Sequence, residues 1–134
     1  MKRYSGLIVK HEDKVLLCKR NMFGDRPGRW SIPAGKIEKD ESALTAVFRE
    51  FYEETNIELK KEPIFVGMIK TDAIKPGIMY VFLYSSDEQL YPDLVNAKDG
   101  NEHTECGYFN FNEMIDRNLG VEMTEIMKKV FKKY

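Results

Sequence analysis

The chain has 134 residues, 43% of them hydrophobic and 32% charged, which suits one globular domain over residues 1–134 and excludes a disordered or low-complexity protein. Its formal net charge of −1 excludes a bulk nucleic-acid surface, so a phosphate-bearing partner has to be held locally, by a few basic residues or by a metal. No apolar run approaches the roughly 20 residues that span a bilayer, and Met1-Lys2-Arg3-Tyr4 leads into an alternating segment and not a signal-peptide core, so no membrane partner and a cytoplasmic location are expected.

Along the chain, residues 4–10 and 14–20 are two short strands separated by His11-Glu12-Asp13, a hairpin. Cys18, on the second strand, and the distant Cys106 lack metal-ligand spacing and are expected as buried thiols in a reducing cytosol, with one disulfide as the alternative. Residues 21–29 hold Gly24, Pro27 and Gly28 and form a loop. A short strand at residues 30–32 meets the tight turn Pro33-Ala34-Gly35. A helix follows from about Glu41 to Glu54, with Asp40 as its N-cap and Glu41 in its first turn.

On that helix Leu44, Val47, Phe48, Phe51 and Tyr52 recur at i, i+3, i+4, i+7 and i+8 and make one apolar face. Strands are expected near residues 63–71 and 78–84, the second rich in β-branched and aromatic residues. Residues 85–105 form a long polar stretch, residues 106–110 a last strand, and Met123, Ile126, Met127, Val130, Phe131 and Tyr134 the apolar face of a C-terminal helix. The interleaving of strands and helices without strict alternation predicts a mixed sheet packed between helices.

The chemistry concentrates on the first helix. Glu50, Glu53 and Glu54 sit at i, i+3 and i+4 and share a narrow face beside the apolar one. Like charges at that spacing repel and mildly destabilise a helix. Arg49 pairs with Glu53 one turn away but cannot neutralise the set, whereas a hard divalent cation with oxygen ligands can. Taken alone, such a face is most simply a solvated acidic surface. Its context changes that reading: Gly35, Glu41, Arg49, Glu50, Glu53 and Glu54 stand as Gly-x5-Glu-x7-Arg-Glu-x2-Glu-Glu. At roughly 5–10% usage for each residue type, a chance match is on the order of one in ten thousand or rarer.

In this arrangement the sequence resembles the Nudix hydrolases, with Phe51 and Ile57 at the apolar positions of the family's box and residues 30–38 similar to its preceding strand and turn. Asn56 stands where the family has glycine; it ends a helix, where Asn is the next best residue for left-handed backbone. Ala34 replaces the first glycine of the usual pair, which a carbonyl ligand tolerates and a positive φ would not.

The resemblance implies an α/β/α sandwich with a mixed β-sheet between helices, and an enzyme that cleaves a diphosphate linkage in a nucleoside diphosphate-X or nucleoside triphosphate by water attack on phosphorus. It implies Mg²⁺ as cofactor, with Mn²⁺ able to substitute, and a small nucleotide-like molecule as partner. Glu50, Glu53, Glu54 and the Ala34 carbonyl would hold the metal, and Arg49 and Glu41 would orient the ligands. Glu102 is preferred to Glu105 as the base, with His103 a further candidate expected at the solvent-exposed loop, and Arg20 and Lys36 would contact phosphate. Phe23, Trp30 and Tyr80 are offered either to a base or to the core. The competing readings are a non-catalytic nucleotide-binding sensor and an isomerase of the isopentenyl diphosphate type. A homodimer is an open alternative, with the apolar N-terminal strand offering an edge.

Overall fold

The computed structural model describes residues 1–23, 26–71 and 76–134; Gly24, one of the expected loop residues, lies outside them. The hairpin strands are β1 (Lys2–His11) and β2 (Lys14–Arg20), paired only at their turn end, Lys10 with Val15 and His11 with Lys14. Beyond that point they splay apart and each takes a different neighbour. Strand β4 (Ala34–Lys36) pairs with β1 through Tyr4–Lys36, Ser5–Gly35 and Gly6–Ala34, while β3 (Trp30–Ser31) and β7 (His103–Phe109) pair with β2. On the other side β1 runs parallel to β6 (Gly77–Ser85) in continuous register, and β5 (Ile64–Lys70) closes the sheet antiparallel to β6. The sheet is therefore mixed, and β1 lies inside it, with β2 and β4 on one side and β6 on the other, which corrects the expectation that the N-terminal strand offers an edge.

Alternation along β1 explains the layering. Leu7 and Val9 face helix α1 (Ala43–Thr55) with Leu16, Phe82 and Tyr84, whereas Ile8 faces helix α3 (Val121–Lys133) with Val15, Leu17, Val81 and Leu83. Val47 and Phe51 fill the α1 layer; Met123, Ile126, Met127 and Val130 fill the α3 layer. The fold is the expected mixed sheet between helices. A short helix α2 (Phe111–Ile115), not foreseen from sequence, is fixed by a capping box in which Asn110 and Glu113 satisfy each other's backbone N–H groups.

Two further expectations change. The N-cap of α1 is Ser42, whose side chain accepts the Thr45 N–H at 3.0 Å; Asp40 adopts a left-handed φ of 65° in the turn before, and Glu41 precedes the helix. Cys18 and Cys106 form a disulfide instead of lying as separate thiols, because the β2–β7 register sets them directly opposite one another. Asn56 does terminate α1 in left-handed backbone, with φ 63° and its N–H donating to the Tyr52 carbonyl at 2.8 Å.

Candidate active site

The splay of β1 and β2 leaves a notch in which β4 lies beside α1. Gly35 makes room there: a Cβ at this position would stand 1.9 Å from Glu50 Oε2 and 2.0 Å from its carboxyl carbon, so any side chain here displaces the Glu50 carboxylate. The bare backbone of β4 is thus the surface on which the Glu50 carboxylate rests. Ala34 avoids positive φ, so its methyl group carries no backbone strain.

Arg49 organises the carboxylates. Its Nε and Nη2 donate to both oxygens of Glu41 at 2.8 and 2.9 Å, a bidentate pair, and Nη1 donates to Glu50 and Glu53, each at 2.9 Å. Nη2 also donates to the Lys36 carbonyl at 3.0 Å, joining the helix to β4. Glu41 accepts the Glu38 N–H at 3.0 Å, and the arginine holds the Glu41 carboxyl down to about 2. The pair expected from sequence between Arg49 and Glu53 is one strand of this larger clamp.

Glu54 is different in kind. It is 1% exposed, and burial, then the nearby charges of Glu102 and Glu50, push its carboxyl well above the ordinary range. Its Oε1 lies 3.0 Å from His103 Nε2. His103 is buried, contrary to the expected exposed loop histidine, because β7 begins at His103, three residues earlier than expected, and draws the ring under the sheet. Burial and then the Arg20 charge hold the imidazole down to about 4.

The remaining candidates are sorted by the loop that follows β6. Two of its N–H groups, from Asp93 and Asp99, donate to the Thr55 and Glu53 carbonyls at 2.9 and 2.7 Å, satisfying acceptors that the end of α1 leaves open. The Glu102 carbonyl accepts the Asn21 N–H at 2.9 Å. Glu102 ends the 3-10 turn Gly100–Glu102, half-buried, and its charge couples to Glu50, Glu53 and Glu54. Burial, then Asp99, raise its carboxyl. Glu105 is exposed opposite Lys19; Cys106 and Tyr108 pack toward α1, so Glu105 alternates onto the other face and away from the cluster. Arg20 acts electrostatically on Glu54, Glu102 and His103. Lys36 lends the site its carbonyl, while its side chain lines a separate depression with Arg3 and Pro76.

Past Ala34 a cavity of about 390 Å³ opens between β3, the end of β5 and the start of α3. Arg20 and Ala34 belong to both this cavity and the carboxylate notch. Its other basic lining residues, Arg26 and Arg29, were not singled out from sequence, although their crowding in the loop after Arg20 was a legible signal. Trp30 lines it too, packed edge-on against Phe109 at 5.1 Å, whereas Phe23 is 97% exposed and Tyr80 packs in the α1 layer.

A hard divalent cation fits the donor chemistry of the notch: three carboxylates, Glu50, Glu53 and Glu54, stand next to bare β4 backbone, and buried Glu54 is crowded by negative charge. Among the described residues no three acidic, histidine or cysteine side chains already converge on one point, since Arg49 draws in Glu50 and Glu53 while His103 holds Glu54. Among the described residues, too, no helix is long and apolar enough to cross a membrane.

The NUDIX domain family model matches residues 2–133. An RNA pyrophosphohydrolase of Bartonella tribocorum is 45% identical over 58 residues, 39% of this chain and 34% of that protein. A CTP pyrophosphohydrolase of Escherichia coli is 41% identical over 51 residues, 38% of each. The chain thus spans little more than a third of the length of these two relatives. The crystal structure of a MutT protein from Methanosarcina mazei superposes with a TM-score of 0.78 over 98% of this chain and 93% of that one, at 22% identity, a likeness of fold.

Proposed function

The chain belongs to the Nudix family, and from that premise we propose that it is a divalent-metal-dependent hydrolase that cleaves a diphosphate linkage in a nucleotide-like substrate by attack of water on phosphorus. The observation that carries the reading is the clamp in which one arginine orders Glu41, Glu50 and Glu53 beside buried Glu54 and half-buried Glu102, at the mouth of a cavity with basic walls. A sensor that only binds nucleotide has no need of that full carboxylate set.

In this reading Glu50, Glu53, Glu54 and the Ala34 carbonyl hold Mg²⁺ or Mn²⁺. When bound, the cation neutralises phosphoryl charge and makes the attacking water more acidic. Arg49 and Glu41 keep the ligands oriented, a role on which metal sites depend. Glu102, with its raised carboxyl, accepts the proton of the attacking water; Arg20, which lies beside Glu54 and Glu102, contributes charge-assisted hydrogen bonds to the phosphate. The substrate's remaining part occupies the cavity past Ala34.

The test is a hydrolysis screen with Mg²⁺ or Mn²⁺ over nucleoside triphosphates, ADP-ribose, nucleotide sugars, dinucleoside polyphosphates and triphosphorylated RNA. Metal-dependent release of a nucleoside monophosphate, or of a monophosphorylated RNA end, supports the reading. Nucleotide binding without turnover of any member, with metal present, sinks it in favour of a sensor.

A further inference from the structure

Arg49 donates to Glu41, Glu50 and Glu53, while buried Glu54 is held by other means. Two strands reach it. The Ala34 N–H of β4 donates to its carboxylate, and its Oε1 lies 3.0 Å from His103 Nε2 at the start of β7. Both side chains of the His103–Glu54 pair are 2% exposed. Removing two polar groups this far from water is costly unless their hydrogen bonds are replaced. For His103 the replacement is incomplete: Nδ1 is buried and has no hydrogen-bond partner among the described residues. That orphaned nitrogen fixes the proton. An ionised Glu54 can only accept, so the ring donates to it from Nε2. A ring protonated on Nδ1 instead would bury an unmatched N–H and set the Nε2 lone pair against Oε1.

We propose that His103 is a positioning residue for the metal site: its Nε2–H, together with the Ala34 N–H, fixes the Glu54 carboxylate in the orientation that receives the cation. This role rests on the metal-dependent reading given above and adds to it a residue that acts through Glu54 and not as a base. The bare ring nitrogen is buried, so it is out of reach of an attacking water. Each oxygen of a carboxylate has two lone pairs, so two donors leave Glu54 with acceptor capacity for a metal. A ligand already held by hydrogen bonds loses less freedom when the metal binds, and such supporting partners typically change metal affinity by about 10–100-fold. The donor is also firmly mounted. His103 is 49 positions from Glu54 in sequence, but β7 is registered on β2 through Cys18–Cys106 and Arg20–His103, which sets the ring on a strand.

Titration with Mn²⁺, followed by electron paramagnetic resonance without substrate, tests this role apart from turnover. His103→Leu keeps an apolar body but donates nothing, and its Kd for Mn²⁺ should rise about tenfold or more. His103→Gln, whose amide nitrogen has a reach close to that of Nε2, should restore most of the affinity, and the shorter His103→Asn should not. In a Glu54→Ala background, His103→Leu should change the Kd by less than about twofold, because the ring acts through that carboxylate. A histidine that only supports the fold gives another pattern: Gln and Asn behave alike, losses follow the melting temperature, and Glu54→Ala does not suppress them. That pattern, or an unchanged Kd in His103→Leu, overturns the inference. If the Leu and Asn variants fail to fold, the nitrogen-15 spectrum of the ring in the unmodified protein decides. A proton on Nε2 with Nδ1 bare is expected, and the opposite tautomer overturns the role. Failure of the unmodified protein to bind Mn²⁺ removes the metal reading and this inference together; Mn²⁺ binding indifferent to His103 removes this inference alone.

Discussion

The notch beside α1 and the cavity past Ala34 share Arg20 and lie on the same sheet, yet their charges are handled in opposite ways. In the notch, four of the acidic side chains are tied down at 2.8–3.0 Å: Glu41, Glu50 and Glu53 to Arg49, and Glu54 to His103. In the cavity, Arg29 meets no carboxylate among the described residues, and the carboxylate of Glu122 is turned to backbone. Partnered side chains are held in one geometry, which suits ligands that have to meet a cation within tenths of an ångström. An exposed guanidinium such as that of Arg29 keeps its field, which suits recognition of charge. The contrast teaches that the two halves should fail differently when altered: the notch in turnover, the cavity in affinity.

The largest expected effect lies at the notch. Glu53→Gln or Glu54→Gln should lower turnover by roughly 10³-fold or more while circular dichroism and the melting transition show an intact fold. Near-normal rates in both variants would dissolve the distinction between the two regions. Next in size, Glu102→Gln should slow turnover by about 10²-fold and remove the acid limb of the pH–rate profile, a limb expected above the ordinary carboxylate range because burial and Asp99 raise this group. Glu105→Gln should change the rate by less than about twofold; a larger effect there than at Glu102 reverses the choice of base.

Smaller effects probe how the notch is held. Arg49→Lys keeps the charge but loses the planar fork that reaches Glu41 twice, so a fall of about 10–100-fold in metal affinity is expected, read by titration with Mn²⁺. Gly35→Ala should act on the same measurement, because its Cβ meets the Glu50 carboxyl group. The smallest effect is on acid stability. The Glu41 carboxyl is lowered from 4.5 to about 2 in the folded chain, so the Arg49 pair stabilises fully above pH 4.5 and its contribution is lost as pH falls toward 2. Glu41→Gln should flatten that part of a plot of Tm against pH; an unchanged slope means the pair contributes nothing to folding.

Local patterns in the sequence were enough for much of this. The i, i+3, i+4 spacing placed Glu50, Glu53 and Glu54 on one face of α1, since a helix repeats every 3.6 residues whatever surrounds it. Alternation did the same for β1, β-branched and aromatic composition for β6, and Asn56 announced the helix end through its tolerance of left-handed backbone. Errors fell where neighbours in space compete with neighbours in sequence. Asp40 and Ser42 are both good caps, and the turn that brings Glu41 under Arg49 decides for Ser42. His103 looks like a loop residue until β7 extends to include it.

The sequence by itself determined the carboxylate set, its arginine and the family to which they point, because those depend on spacing within one helix and the turn before it. Only the tertiary structure decided that Glu102 and not Glu105 stands among those carboxylates, that Cys18 faces Cys106, and that Arg26 and Arg29 from one loop share a wall with Lys70 from β5. Those relations join residues tens of positions apart. They follow from strand register and from the splay of β1 and β2, which is set by packing of both helix layers at once and is written in no single stretch of chain.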